Sequence, residues 1–449
     1  MRKHISTLFA VFIGLSLYAN SGKVILSGQV QQPAASSIMI TYLDNQELIS
    51  AELNANGNFK MSADIEEGYY LLEYGRNTAY LYLYPQDEFK IVFNAKDFEN
   101  TLVYSGKGAL RNNYLAKKAI MDTELTKDLE AFYATDEAVY LKNIEGVKNA
   151  HLTALSKYDV PQFFRKAEQK SLEYERLLSI QNYKSNIKFY LGKEIAPSAK
   201  FYQPIANLGY SDADYKKQPY YRYLMNSIWS KRIDAAPDVD RMLNVLRKVP
   251  SEALAITLIN GCYSKISSHK ERAADYLNLI KRVTTYQPFI EAAEQQYKEV
   301  MHAKGLRKGD ASPGFRYESI DGKIVSLSDL KGKYVYIDVW TTWCAPCIKQ
   351  IPYLKELEEH YKGKNIVFVS ISVDKEEVKP TWKQMVKEKQ LGGLQLFADK
   401  SFDSAFMNAF AVNSIPRFIV IDPEGKIVNP VAPRPSFEKT KTLLNTLLQ

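Results

Sequence analysis

WTTWCAPCIKQIP, residues 340–352, holds two of the three cysteines in a chain of 449 residues. It follows "YVYIDVW", which reads as a strand, and runs into "APCIKQIPYLKELEEHYK", which reads as a helix. Cys344 thus falls at the first turn of that helix, where unpaired amides and partial positive charge favour thiolate over thiol. Cys347, three residues on, comes within bonding range of Cys344, and Pro346 restricts the turn between them. The pattern predicts dithiol exchange. An exposed Cys344 attacks a partner's disulfide, and a buried Cys347 resolves the mixed disulfide.

Two other chemistries fit less well. A zinc knuckle needs a second Cys or His pair at matching spacing, and the sequence offers none. A peroxidatic cysteine is suggested by Thr341, three residues before Cys344, but Ile337 stands where that motif has proline.

Working outward, strand and helix alternate from Gly305 to Gln449. "NIVFVSISVD" reads as a second strand and "VKPTWKQMVKEKQL" as a second helix, and "RFIVIDPEGKIV" reads as a hairpin turning at Asp422-Pro423-Glu424-Gly425. A helix, "PSFEKTKTLLNTLL", closes the chain. This order implies an α/β domain with a parallel core and an antiparallel hairpin at one edge.

The leading two thirds have a different texture. Residues 20–107 alternate in period two, through segments such as "KVILSGQV", "YYLLEYG" and "FKIVFNA", with Asn56-Gly57 as a hairpin signal. They predict a small antiparallel β-sandwich. Residues 108–304 carry apolar residues at helical spacing, divided by prolines, and predict an all-α region. Cys262 falls within it and reads as a buried, inert thiol, with an intermolecular disulfide or redox-sensitive thiol as the alternative. His151, His269 and His302 show no spacing suited to a metal.

The N-terminus, "MRKHISTLFAVFIGLSLYAN", has a basic start and a short apolar core ending near Ala19. It reads as a signal peptide, residues 1–19, too short for the ~20 residues of a spanning helix. An exported, periplasmic protein is expected. The formal net charge of +8 falls to +6 without Arg2 and Lys3, a mild excess. The basic and aromatic stretch "YKKQPYYRYLMNSIWSKR" reads as an amphipathic helix, so no nucleic-acid partner is expected. Exported chains commonly use cysteines for structural disulfides, but a loop closed between Cys344 and Cys347 is too short to staple a large fold.

"GDASPGFRYESIDGKIVSLSDLKGKYVYIDVWTTWCAPC" resembles the opening of the TlpA/ResA type of thioredoxin-fold thiol:disulfide oxidoreductase, through its Pro-Gly-Phe turn, Asp-Gly hairpin and W-x-x-W-C-x-P-C motif. The resemblance covers residues 305–449. It implies Cys344 as the attacking cysteine and Cys347 as the resolving one. Asp338 matches the buried aspartate that deprotonates the resolving thiol, a role that burial in an apolar strand supports. Pro352 matches the proline that kinks the active-site helix. Ile415 and Pro416 match the cis-proline loop that binds an extended substrate chain. Trp340 and Trp343 match tryptophans flanking the site, and equally fit core positions. Ser370 stands where thioredoxin has a lysine beside the aspartate, which leaves Asp338 without a charged neighbour. Asp374, Lys375 and Glu376 stand near the place of a family glutamate, without matching it.

No cofactor is expected beyond the redox-active disulfide Cys344–Cys347, and no metal. Alanine and proline between the cysteines are closer to the thioredoxin pattern, near about −270 mV, than to DsbA, near about −120 mV. A reductant of envelope protein disulfides is therefore expected, with protein thiols as substrates and cytochrome c maturation as one destination. The resemblance implies re-reduction by a membrane electron donor of the thiol-relay type. Two alternatives stay open: a client-binding scaffold, with homo-oligomer formation through the N-terminal regions, and a thiol peroxidase-like activity.

Overall fold

The computed structural model describes residues 21–302 and 306–449. The expected signal peptide with its cleavage point at Ala19 and the expected junction at 304/305 lie outside the described residues. The chain divides into two compact units, one ending at Glu294 and the other beginning at Gln295.

The first unit opens with β1 (Ser21–Gln31), β2 (Ser37–Thr41), β3 (Glu47–Glu52), β4 (Asn58–Glu66), β5 (Gly68–Tyr74), β6 (Asn77–Leu83), β7 (Glu88–Asn94) and β8 (Val103–Lys107). They form two four-stranded sheets, ordered β4-β1-β7-β8 and β3-β2-β5-β6. Alternating side chains from both sheets, among them Val24, Leu26, Ile91, Ile38, Leu72 and Leu81, form one buried cluster.

Two expectations need correcting. The sheets are not wholly antiparallel, because β1 pairs in parallel with β7, Ile25 opposite Glu88 through Gln31 opposite Asn94. Asn56-Gly57 turns the chain but closes no hairpin, since β3 and β4 belong to different sheets. The turn is held locally, with the Asn54 side chain accepting from the amides of Asn56 at 3.0 Å and Asn58 at 2.9 Å. The Gly57 carbonyl then accepts from the Val30 amide at 2.8 Å, which ties the turn to β1 instead of β3. Gly57 has φ +74°, and a Cβ there would lie 2.2 Å from the Val30 carbonyl oxygen, so only glycine fits.

The helices that follow include Ala109–Leu125, Glu137–Ser156, Gln162–Leu191, Pro219–Ala235 and Glu252–Ser268. Tyr69 and Tyr82 of the sheet share a buried cluster with Tyr114, Leu155 and Phe164 of the helices. Cys262 is a buried free thiol, pushed up to about 11 by burial. His151 is fully buried and bonded through Nε2 to Asp122 at 2.6 Å.

The second unit contains β9 (Arg316–Ser319), β10 (Ile324–Ser326), β11 (Tyr334–Trp340), β12 (Ile366–Ser372), β13 (Leu394–Phe397), β14 (Arg417–Ile421) and β15 (Ile427–Asn429). The sheet order is β10-β9-β13-β12-β11-β14-β15. β11, β12 and β13 run parallel, and β14 with β15 adds the expected antiparallel hairpin. β11 is buried along almost its whole length, as the apolar run requires of a strand covered on both faces. Its Ile337 and Val339 face one cluster with Ile371 and Ile419, while Tyr336 faces another with Leu354 and Leu357. Among the described residues no helix is long and apolar enough to cross a membrane.

Candidate active site

Cys344, four residues past the end of β11, is the N-cap of a four-residue helix, Ala345–Ile348. The chain breaks at Lys349 and Gln350 and resumes as Ile351–His360, with Pro352 in its first turn. One helix read from sequence is therefore two, since proline lacks the amide that would continue the first. Cys344 and Cys347 are joined by a disulfide, their Cα atoms 5.2 Å apart. The Cys347 amide donates to Cys344 Sγ at 3.2 Å. When the pair is reduced, an amide aimed at that sulfur favours the thiolate.

The structure corrects the expectation of an exposed attacking cysteine. Cys344 is only 5% exposed and Cys347 3%. Both belong to a buried cluster with Trp340, Trp382, Val386 and Phe397. Trp343 is 48% exposed, whereas Trp340 is core. The Ile415–Pro416 bond is cis, and Ile415 packs against the cluster that holds the two cysteines. Pro346, Ile415 and Pro416 are each half-buried. The structure thus brings Cys344, Cys347, Trp340 and Ile415 together and leaves Trp343 as an exposed flank.

Asp338 lies on the face of β11 shared by Tyr336 and Trp340. It is buried, its Oδ1 has no hydrogen-bond partner, and its carboxyl is pushed up to about 7. Burial is the main cause, followed by the charge of Glu358, while a hydrogen bond from Ser370 opposes both. Asp338 therefore does have a charged neighbour, though it is another carboxylate and not a lysine. Ser370 is the in-register neighbour of Asp338 on β12.

Sequence reasoning missed one acid, Glu358, and named a second, Asp374, without a role. Glu358 sits in "ELEEH", which reads as an ordinary solvated helix face; its carboxyl is also pushed up to about 7 by burial, with Lys355 opposing. Asp374 is buried just past β12 and accepts from the Thr342 amide at 2.8 Å and the Thr342 hydroxyl at 3.1 Å. It also accepts from the Ser372 hydroxyl at 3.0 Å, and so pins the loop that delivers Trp343 and Cys344. Glu376 is exposed and pairs with Lys379. Among the described residues no group of three or more His, Cys, Asp or Glu side chains is placed to hold a metal ion.

A disulfide at the junction of a central parallel strand and the following helix, beside a cis-proline loop, defines a thioredoxin-type redox module. The Redoxin family matches residues 307–443. The thiol-disulfide oxidoreductase ResA of Bacillus cereus is 31% identical over 37% of this chain and 85% of that protein. ResA of Bacillus subtilis is 33% identical over 30% of this chain and 73% of that protein. The crystal structure of the thioredoxin domain of a Bacteroides vulgatus thiol-disulfide oxidoreductase is 28% identical, covering 32% of this chain and 99% of that one, with a TM-score of 0.30. The chain belongs, through its second unit, to the ResA family of thiol-disulfide oxidoreductases. It is an enzyme of that class.

Proposed function

We propose that this chain is an exported reductase of protein disulfides in the bacterial envelope, with Cys344 as nucleophile and Cys347 as resolving thiol. The reading rests on the Cys347 amide held 3.2 Å from Cys344 Sγ. The Cys344 thiolate attacks one sulfur of a partner disulfide, forming a mixed disulfide and releasing the partner's other thiolate. Cys347 gives its proton to Asp338 and attacks Cys344, closing the Cys344–Cys347 bond and freeing the partner reduced by two electrons. Ile415, Pro416, Trp343 and Pro346 form the rim on which an extended partner segment lies. A membrane thiol relay returns the pair to the dithiol. The leading part of the chain, read as a β-sandwich (20–107) and a helical region (108–304), serves as the docking or self-association part ahead of the catalytic residues 305–449.

Trapping tests this reading. Cys347→Ala should accumulate a partner joined covalently through Cys344, while a partner that still binds after loss of both cysteines would favour a scaffold instead. A potential for the pair near about −120 mV would overturn the reducing direction.

A further inference from the structure

A polar row crosses the second unit's sheet behind the cysteines. Asp338 on β11 is in register with Ser370 on β12, and Ser370 is in register with Gln395 on β13. In-register neighbours on adjacent strands point to the same face, so the three side chains form one track through an otherwise apolar layer. All three are buried. Two atoms on the track, Asp338 Oδ1 and Gln395 Oε1, have no hydrogen-bond partner, which is costly inside a protein unless they serve a purpose.

The far end of the track is built around a carboxylate. Gln395 Nε2 donates to the Gly392 carbonyl at 2.7 Å. A Cβ on Gly392 would lie 2.1 Å from Glu358 Oε2, and one on Gly393 would lie 2.8 Å from Glu358 Oε1. The Gly392-Gly393 pair thus makes the space that the Glu358 carboxylate fills. Glu358 is half-buried, so it touches solvent on its other side. Lys355, the cation facing it from its own helix, donates to the Lys389 carbonyl at 2.5 Å. Across from it stand Asp338 on β11, with Tyr336 on the same face donating its hydroxyl to the Pro433 carbonyl, and the neutral Ser370 and Gln395.

We infer that Glu358 is the solvent-side proton station for Asp338, joined to it by the row of Ser370 and Gln395. The inference rests on the reading of Asp338 as the group that takes the Cys347 proton. In the resolving step the Cys347 thiol loses its proton to the Asp338 carboxylate as its sulfur bonds to Cys344. That proton then passes by the Ser370 hydroxyl to the Glu358 carboxylate and out to water, leaving Asp338 ready for the next turnover. The charge of Glu358 raises the Asp338 carboxyl, so the two acids lose their protons in linked steps. Glu358 acts through Asp338 and is a positioning residue for the reaction.

The test uses the reduced full chain mixed with dithiobis(nitrobenzoate) in stopped flow across a pH series. The first coloured thiolate reports attack by Cys344 and the second attack by Cys347; a far-ultraviolet spectrum like the parent's, with Cys262 still unreactive, checks that each variant is folded. Glu358→Gln should convert a two-step rise of the second phase with pH into a single step, moved to lower pH by roughly one unit because the like charge is gone. Its plateau should also be slower. Gly392→Ala, which displaces the carboxylate without removing its charge, should slow the same phase, and Glu358→Asp should restore the two-step rise. A Glu358→Gln profile that overlays the parent overturns the inference. Asp338→Asn separates the layers. If it flattens the rise while Glu358→Gln changes nothing, the relay falls and the role of Asp338 stands. If it too leaves the profile unchanged, the underlying reading of Asp338 fails with it.

Discussion

Burying Asp338 in β11 makes ionisation there costly, and the cost appears in stability as well as in chemistry. Its carboxyl titrates near about 7 in the fold, against about 3.9 in an unfolded chain. Because the folded value is the higher, the protonated form favours the fold at pH below about 4, and that contribution is lost as pH rises through about 7. Asp338→Asn removes the titration. With the disulfide intact, the variant should match the parent near about pH 4 and exceed it by up to about 4 kcal/mol above about pH 7. Urea unfolding at the two pH values reads this directly, and a stability difference that does not change with pH would contradict it. Asp338 was legible in the sequence because an acid amid "YVYI" and "VW" stands out. Glu358 was not, because Glu356, Glu358 and Glu359 look alike until Gly392 and Gly393 are folded against one of them.

At the scale of elements, the second unit was legible where pattern and packing agree. The buried run of β11 and the β14–β15 hairpin follow from local chemistry, whereas the break before Pro352 came only through the resemblance, the periodicity alone giving one helix. β13 escaped because "LQLF" is four residues long and follows Gly392-Gly393, which gives too little periodicity to separate it from a loop. Asn56-Gly57 misled for a related reason. A turn signal specifies a reversal of the chain but not which strand the next one joins, and here the Val30 amide decides. Asp374 shows how one element positions another, since it anchors the Thr342 loop from the end of β12. Asp374→Ala would leave the Thr342 amide and hydroxyl and the Ser372 hydroxyl buried without that acceptor. The expected loss is about 2–3 kcal/mol of stability. Disulfide reduction should slow in parallel, because Trp343 and Cys344 sit on the loosened loop. A denaturation midpoint equal to the parent's would show that the loop needs no such anchor.

At the scale of the whole molecule, the two units are built on different principles, and this can be measured. Three of the four tryptophans, Trp340, Trp343 and Trp382, lie in the second unit, whereas most of the helix lies in the first. The first unit also buries a charge network. Lys118 Nζ lies 2.8 Å from Glu175 and 3.1 Å from Asp122, and donates to the Tyr220 hydroxyl at 3.1 Å. Glu168, held up by burial, accepts from Tyr69 and Tyr114 in the same region. Removing the cation strands several acids, and breaking a buried pair costs about 3–5 kcal/mol; solvent still reaches Asp122 and Glu175, which places Lys118→Ala near about 3 kcal/mol. Lys118→Met keeps the packing of the stem and isolates the loss of charge. Both variants should lower the urea midpoint of the far-ultraviolet helix signal. In a Trp229→Phe background, where the remaining tryptophans all lie in the second unit, neither the tryptophan transition nor the potential of the Cys344–Cys347 pair should move, because the network lies wholly before Glu294. A helix midpoint unchanged in both variants would mean that Lys118 merely fills space. A tryptophan transition that falls in step would mean that the units unfold as one.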